Sequence, residues 1–365
     1  MNSRERARKK GKKKVTPLHV VVAAVLALGI SALVILYTDS FGFASVLRGF
    51  FTASESEFVD PDGMQMVNGD FTVNDAGTTL ENKHITGNLY LGPGIGDGSL
   101  KLFNVVVEGS VLVQGGGLNS IYLTDSTIGI VRVNRPEGRI KLVVAGKTVV
   151  GQTFLETGAL LVEELAADFV GFDEVEVLTA EKTELNGSFS AVLILVEGAE
   201  VHISSEELAL LTITGTAIGA RVHIAENVVI DKLTIDAPAY LLGQGEFGLT
   251  TVSAAGITGL AGSFRQVRVS SEAGHLDLGE GTVQQLVVER SALKNSISVA
   301  KEAAVTDLEL NEAVEVSGAG AVQKILINAP GSTIAQIPFE IEFGQDVSVL
   351  IGGHVISNPA MLHAL

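Results

Sequence analysis

Gly198-Ala199-Glu200-Val201-His202-Ile203 returns 21 residues later as Gly219-Ala220-Arg221-Val222-His223-Ile224. Within each copy apolar and polar residues alternate, which is the period of a strand. Val201, Ile203, Val222 and Ile224 therefore share one face, and His202 and His223 share the other. The same return occurs elsewhere. Ile85-Thr86-Gly87-Asn88-Leu89-Tyr90-Leu91 matches Val107-Glu108-Gly109-Ser110-Val111-Leu112-Val113 at a shift of 22. Gly281-Thr282-Val283-Gln284-Gln285-Leu286 matches Ala303-Ala304-Val305-Thr306-Asp307-Leu308, again at 22, and Gly187-Ser188-Phe189 returns as Gly262-Ser263-Phe264.

A recurrence near 21 residues, built from two or three short strands, predicts a solenoid. A single turn cannot bury its apolar edge, whereas stacked turns bury a continuous column. Leucine-rich repeats share the period but need a helical segment and an LxxLxL-N pattern, both missing here. The fold class expected is all-β: a single-stranded parallel β-helix over 66–351, preceded by one N-terminal transmembrane helix. At roughly 21 residues per turn this gives roughly 13 turns, and at about 4.8 Å per turn a rod of about 65 Å. Asn104, Asp125, Asn311 and Asn328 fall at turns, where stacked side-chain amides or carboxylates satisfy corner backbone groups. Residues 352–365, with Gly352-Gly353-His354 and Pro359, read as a C-terminal cap. An uncovered end of such a rod invites self-association.

The amino-terminal stretch is of another kind. Residues 1–14 carry eight Lys/Arg and one Glu, and 18–37 are apolar apart from His19, Ser31 and Tyr37. About 20 apolar residues span a bilayer core, and flanking Lys/Arg stay on the cytoplasmic side. The organisation expected is a basic cytoplasmic tail (1–14), a transmembrane anchor (15–37) in the lipid bilayer and a linker or N-terminal cap (38–65). The body that follows is then extracytoplasmic. A cleaved signal peptide competes with the anchor, but its apolar region is normally about 7–15 residues with a small-x-small site after it. Tyr37-Thr38-Asp39 is a poor one. Phe41, Phe43, Val46, Leu47, Phe50 and Phe51 fit a short amphipathic segment, lying in the membrane interface or over the first turn. Asp60-Pro61-Asp62-Gly63 reads as a turn, because the further ligands of a calcium loop are missing.

Composition narrows the functional classes. The 365 residues carry a formal charge of −17. The first 14 contribute +7, so the remainder stands at −24, which repels nucleic acid and anionic surfaces and gathers cations. The absence of cysteine removes disulfides, thiolate metal sites and thiol nucleophiles. With no tryptophan and 5% aromatics, the residues that dominate adhesive hot spots are scarce.

Residues from about 78 to 165 carry a resemblance. Leu80 through Leu91 (LENKHITGNLYL), Gly94-Ile95-Gly96-Asp97-Gly98, Gly115 through Ile121 and Asp125-Ser126 resemble a segment of exported, surface-layer-associated proteins of Gram-positive bacteria. Those segments are similar to pectate-lyase-like right-handed β-helices, mostly without an assigned activity. The glycine-spaced short strands also resemble bactofilin-type polymers, which are shorter and cytoplasmic. The resemblance implies a β-helix at the cell surface and no particular reaction.

Polysaccharide hydrolases on this fold cluster aspartates with a Gly-His and an Arg-x-Lys. Gly138-Arg139-Ile140-Lys141, Gly274-His275 and Gly353-His354 supply the words in the wrong order. Lys141 and His275 are expected about six turns, about 30 Å, apart. Arg139–Leu142 reads as a strand with Ile140 and Leu142 inside. His202 and His223, on adjacent turns and about 5 Å apart, are the candidate metal ligands. Zinc wants three or four donors, and Glu200 on the same face is opposed by Arg221, so a solvated pair is the expectation. Asp173-Glu174-Val175-Glu176 and Glu163-Glu164 read as solvated faces. No catalytic residue and no cofactor is assigned. The expected role is structural: a membrane-anchored envelope scaffold or surface-assembly element. The alternatives are a self-assembling polymer and a polysaccharide-binding or -cleaving protein.

Overall fold

The computed structural model describes residues 64–364, apart from 120, 271, 293, 345 and 346. They form a parallel β-solenoid of about 15 turns with almost no helix. The repeats seen in the sequence are the turns themselves. Ile85 pairs with Val107 and Leu89 with Val111, Val201 with Val222 and His202 with His223, and Gly281 with Ala303. Phe189 and Phe264 occupy the same inward row, joined through Leu208, Ile230 and Phe247.

Each turn has three faces. Glu200–Ile203 makes the first. Glu207–Ile213 makes the second and third, because it bends in its middle. Its buried residues are Leu208, Leu211 and Ile213, so the strict alternation slips by one between 208 and 211. Pairing to Val229–Ile235 omits Ala209 and Asp231 at that bend, and the same omission recurs along the solenoid.

The core is a set of apolar columns. Val201, Val222, Leu241, Leu260, Leu278 and Val299 lie one above another and are all buried. Each side chain so placed contributes about 1.5–3 kcal/mol. Ile140 and Leu142 are inside as expected. The corner after the first face is a ladder of left-handed residues: Asn82, Asn104, Asp125 and Gly146 have φ of 52, 52, 50 and 64°. The Asn104 amide donates to Asn82 Oδ1 at 2.8 Å, and the Lys147 N–H to Asp125 Oδ1 at 2.9 Å. A second ladder joins Asn328 Nδ2 to Asn311 Oδ1 at 2.8 Å.

Roughly 13 turns was an underestimate, because the period is not constant. Paired residues are 22 apart at Ile85 and Val107 but 17 apart at Phe247 and Phe264. The interval varies from turn to turn, reaching 24 between Leu160 and Glu184 and 18 between Glu184 and His202. Gly256–Val269 and Gly274–Val288 each run through a corner without a break.

The parallel progression stops at the carboxyl end. Val349–Ile351 pairs antiparallel with His354–Ile356, and the 3-10 turn Pro359–Ala364 lies beside Glu340–Phe343. Of these, His354–Ile356 and Pro359–Ala364 fall within 352–365, the expected cap. Among the described residues no helix is long and apolar enough to cross a membrane. The expected transmembrane helix, the basic tail and nearly all of the 38–65 linker lie outside the described residues.

Candidate functional site

The alternation that buries Val201, Ile203, Val222 and Ile224 turns His202 and His223 outward on the first face. Parallel register then stacks them, with ring centroids 4.3 Å apart and planes 14° from parallel. His202 Nε2 lies 3.0 Å from Glu200 Oε1, two residues away and so on the same side of the strand. Glu200, His202 and His223 each place one ligand atom within 4.8 Å of the others. The structure thus supplies a carboxylate as third donor beside the two imidazoles.

The neighbours temper this set. Arg221 pairs in register with Glu200, and Glu184 with His202. Lys182 Nζ and Arg139 Nη2 lie 2.6 and 2.8 Å from the Glu184 carboxylate. Those two contacts, Lys182 first, hold the Glu184 pKa down to about 2. The His202 hydrogen bond lowers the Glu200 pKa. His223 is lowered chiefly by burial and then by the charge of His202, which favours the neutral form of that ring, the form that binds metals. An imidazole lone pair lies in the ring plane. Planes only 14° from parallel do not meet near the rings, so one ring must rotate about χ2 before both grip one cation.

The acidic run on the preceding turns is only partly solvated: Asp173 is buried and Glu163 and Glu176 are half-buried, which corrects the expectation for these three. Phe172 and Ser188 N–H groups donate to the two Glu163 carboxylate oxygens, both at 2.7 Å. The carboxylate thereby ties three chain segments together, and burial raises its pKa. Asp173 is buried at a corner and also raised by burial. Glu176 is raised by burial and by Glu174. Glu164 is exposed as expected.

These opposite shifts give a testable pH dependence. Glu184 titrates lower when folded than the ordinary 4.5. Its stabilisation is complete above that value and lost as pH falls toward about 2. Glu163 titrates higher when folded, so its charge costs stability at neutral pH, and acidification through its raised pKa relieves that cost. In urea unfolding followed across pH, Glu184→Gln is expected to flatten the acid limb below about pH 4.5. An unchanged limb refutes the assignment.

The hydrolase words stay apart. Arg139 is held by Glu184, while His275 contacts Asp277 and Ser296. Lys141 leads through Leu160, Glu184, His202, His223 and Leu242. Two further steps, through the pairings of Gly259, reach the turn of His275. That is about seven turns, roughly 34 Å, one more than expected. His354 lies in the terminal hairpin.

A polar furrow runs along the bend between the second and third faces. Asp231, Gly248, Arg265 and Gln284 line it beside Glu246 and Ser263, around about 430 Å³. A second depression of about 380 Å³ continues at Thr306, Gln323 and Lys324, with Phe339 at its edge. The sequence reading missed this furrow. Its signal is the one-residue slip in alternation that marks each bend. No family model, curated protein or solved structure matches the chain.

Proposed function

We propose that this chain is a non-enzymatic scaffold or spacer of a cell envelope. It is tethered through residues 15–37, with 1–14 in the cytoplasm and the solenoid outside. The observation that supports this reading is continuous parallel pairing across about 15 turns, which makes a stiff body from backbone hydrogen bonds and a shared core. Acidic charge along the body keeps neighbouring copies apart and holds cations diffusely. The resemblance of 78–165 to surface-layer-associated proteins points the same way.

Growth into a polymer is the second reading. The antiparallel strand His354–Ile356 covers the last parallel strand of the first face and so opposes continuation of the coil there. Ile337, Phe339 and Val355 are exposed near that end, which favours lateral or tail-to-tail contact over coil-on-coil stacking. Polysaccharide binding is the third reading, favoured by the furrow at Arg265 and Gln284.

The full chain produced in bacterial membranes tests the first reading. It is expected to resist an alkaline wash, to lose its body to protease added from outside, and to be released by deletion of 15–37. Solubilised in detergent, it is expected to sediment with the friction of an elongated particle. A body protected from external protease overturns the topology, and a compact particle overturns the spacer.

A further inference from the structure

We infer that Glu200, His202 and His223 form a binding site for one borderline divalent cation of the zinc or copper class, open to solvent on the first face. This goes beyond the scaffold role and does not depend on it.

Donor chemistry selects the ion class. Two imidazoles and a carboxylate suit zinc and copper, whereas calcium and magnesium take oxygen donors. Backbone placement is fixed in advance. His202 and His223 are register partners in adjacent parallel strands, anchored by Val201, Ile203, Val222 and Ile224 in the core. Only side chains need to move. The three ligand atoms lie within 4.8 Å of one another, and metal–nitrogen bonds of about 2.0–2.1 Å in a tetrahedron require about 3.4 Å. Closing by up to about 1.4 Å and turning one ring out of the stack is within the reach of these side chains. The Glu200 and His202 side chains are 48% and 31% exposed, so neither is locked by packing.

Three protein donors leave a coordination position open, for water or an outside ligand. Glu184, in register with His202, supplies a carboxylate on the adjoining turn, already neutralised by Lys182 and Arg139. Arg221, in register with Glu200, is the opposing charge. It weakens the site without contributing a donor, and this makes it a diagnostic residue.

The test uses the full, tag-free chain in detergent, titrated with cobalt(II) as a spectroscopic probe and with zinc in competition against a chelator of known affinity. One equivalent is expected to bind and give the visible absorption of tetrahedral cobalt, and zinc is expected to displace it. His223→Ala is expected to weaken binding by more than the about 10–100-fold that loss of an outer partner costs. Glu200→Gln is expected to weaken it less, and Arg221→Ser to tighten it several-fold. All three positions face outward, so the circular-dichroism signal of the solenoid should persist, and its persistence shows that a lost site is not a lost fold. His19, His84, His275, His354 and His363 remain in every variant and report unrelated binding. The proposal is overturned if wild-type chain binds zinc or cobalt no more tightly than the His202→Ala/His223→Ala double variant. It is equally overturned if Arg221→Ser leaves the affinity unchanged.

Discussion

Replacing Phe264 by alanine is expected to cost about 3–5 kcal/mol, as deletion of a fully buried aromatic generally does. Phe264 is 2% exposed and stacks on Phe247 of the preceding turn, with centroids 4.5 Å apart and planes at 12°. The next turn places Val283 over it. The ring therefore fills the interior of one turn and also joins it to two others. Stacking accounts for about 0.5–1.5 kcal/mol, and the cavity and lost apolar contact for the rest. A solenoid turn touches only its neighbours, so the damage should be local. Hydrogen exchange is expected to accelerate in Glu246–Val252, Gly256–Val269 and Gly274–Val288, while Leu100–Val113, seven or more turns away, keeps its protection. Urea unfolding followed together with peptide-resolved exchange checks both. Uniform loss of protection along the whole chain would show that the solenoid unfolds as one unit, against the nearest-neighbour account.

The repeat was legible because inward residues recur as identities or close substitutes. Val201 and Ile203 reappear as Val222 and Ile224, and the structure pairs them at the same offset. The bend was less legible. Leu208, Leu211 and Ile213 look like an imperfect strand until the slip is seen to recur in Val229–Ile235 and Ala321–Ile327 with the same burial pattern. The half-buried Glu163 and buried Asp173 were not legible. Glu163 and Asp173 sit in runs that read as solvated, and only the return of Phe172 and Ser188 to the Glu163 oxygens takes that group from water. That contact joins residues 9 and 25 positions apart, neither of which is the repeat interval. The histidine pair was legible from the shift of 21, but the relation of Glu200 to His202 depends on side-chain torsions, which periodicity does not carry.

A glycine corner yields the second large effect. Gly281 turns the corner between the first and second faces within the continuous strand Gly274–Val288. Its φ is +126°, a region almost closed to residues with a Cβ. A Cβ at 281 would stand 1.9 Å from the Gly262 carbonyl oxygen on the turn below, with that residue's backbone carbon and nitrogen also close. Backbone atoms of a paired strand cannot step aside as a side-chain tip can. Gly281→Ala is therefore expected to combine about 1–3 kcal/mol of backbone strain with about 1–3 kcal/mol of overpacking. Two controls separate these parts. Gly198 has φ of +69° and open space around its Cβ position, so Gly198→Ala should cost only about 1–2 kcal/mol. Gly279, two residues from 281, has its nearest atom at 3.4 Å and no left-handed φ, so Gly279→Ala should be near neutral. Denaturant midpoints of the three variants should rank 281 lowest, then 198, then 279 close to wild type. A Gly281→Ala protein as stable as Gly279→Ala would mean that the corner is not made by a glycine-only conformation, and the continuous path from first to second face at this turn would have to be redrawn.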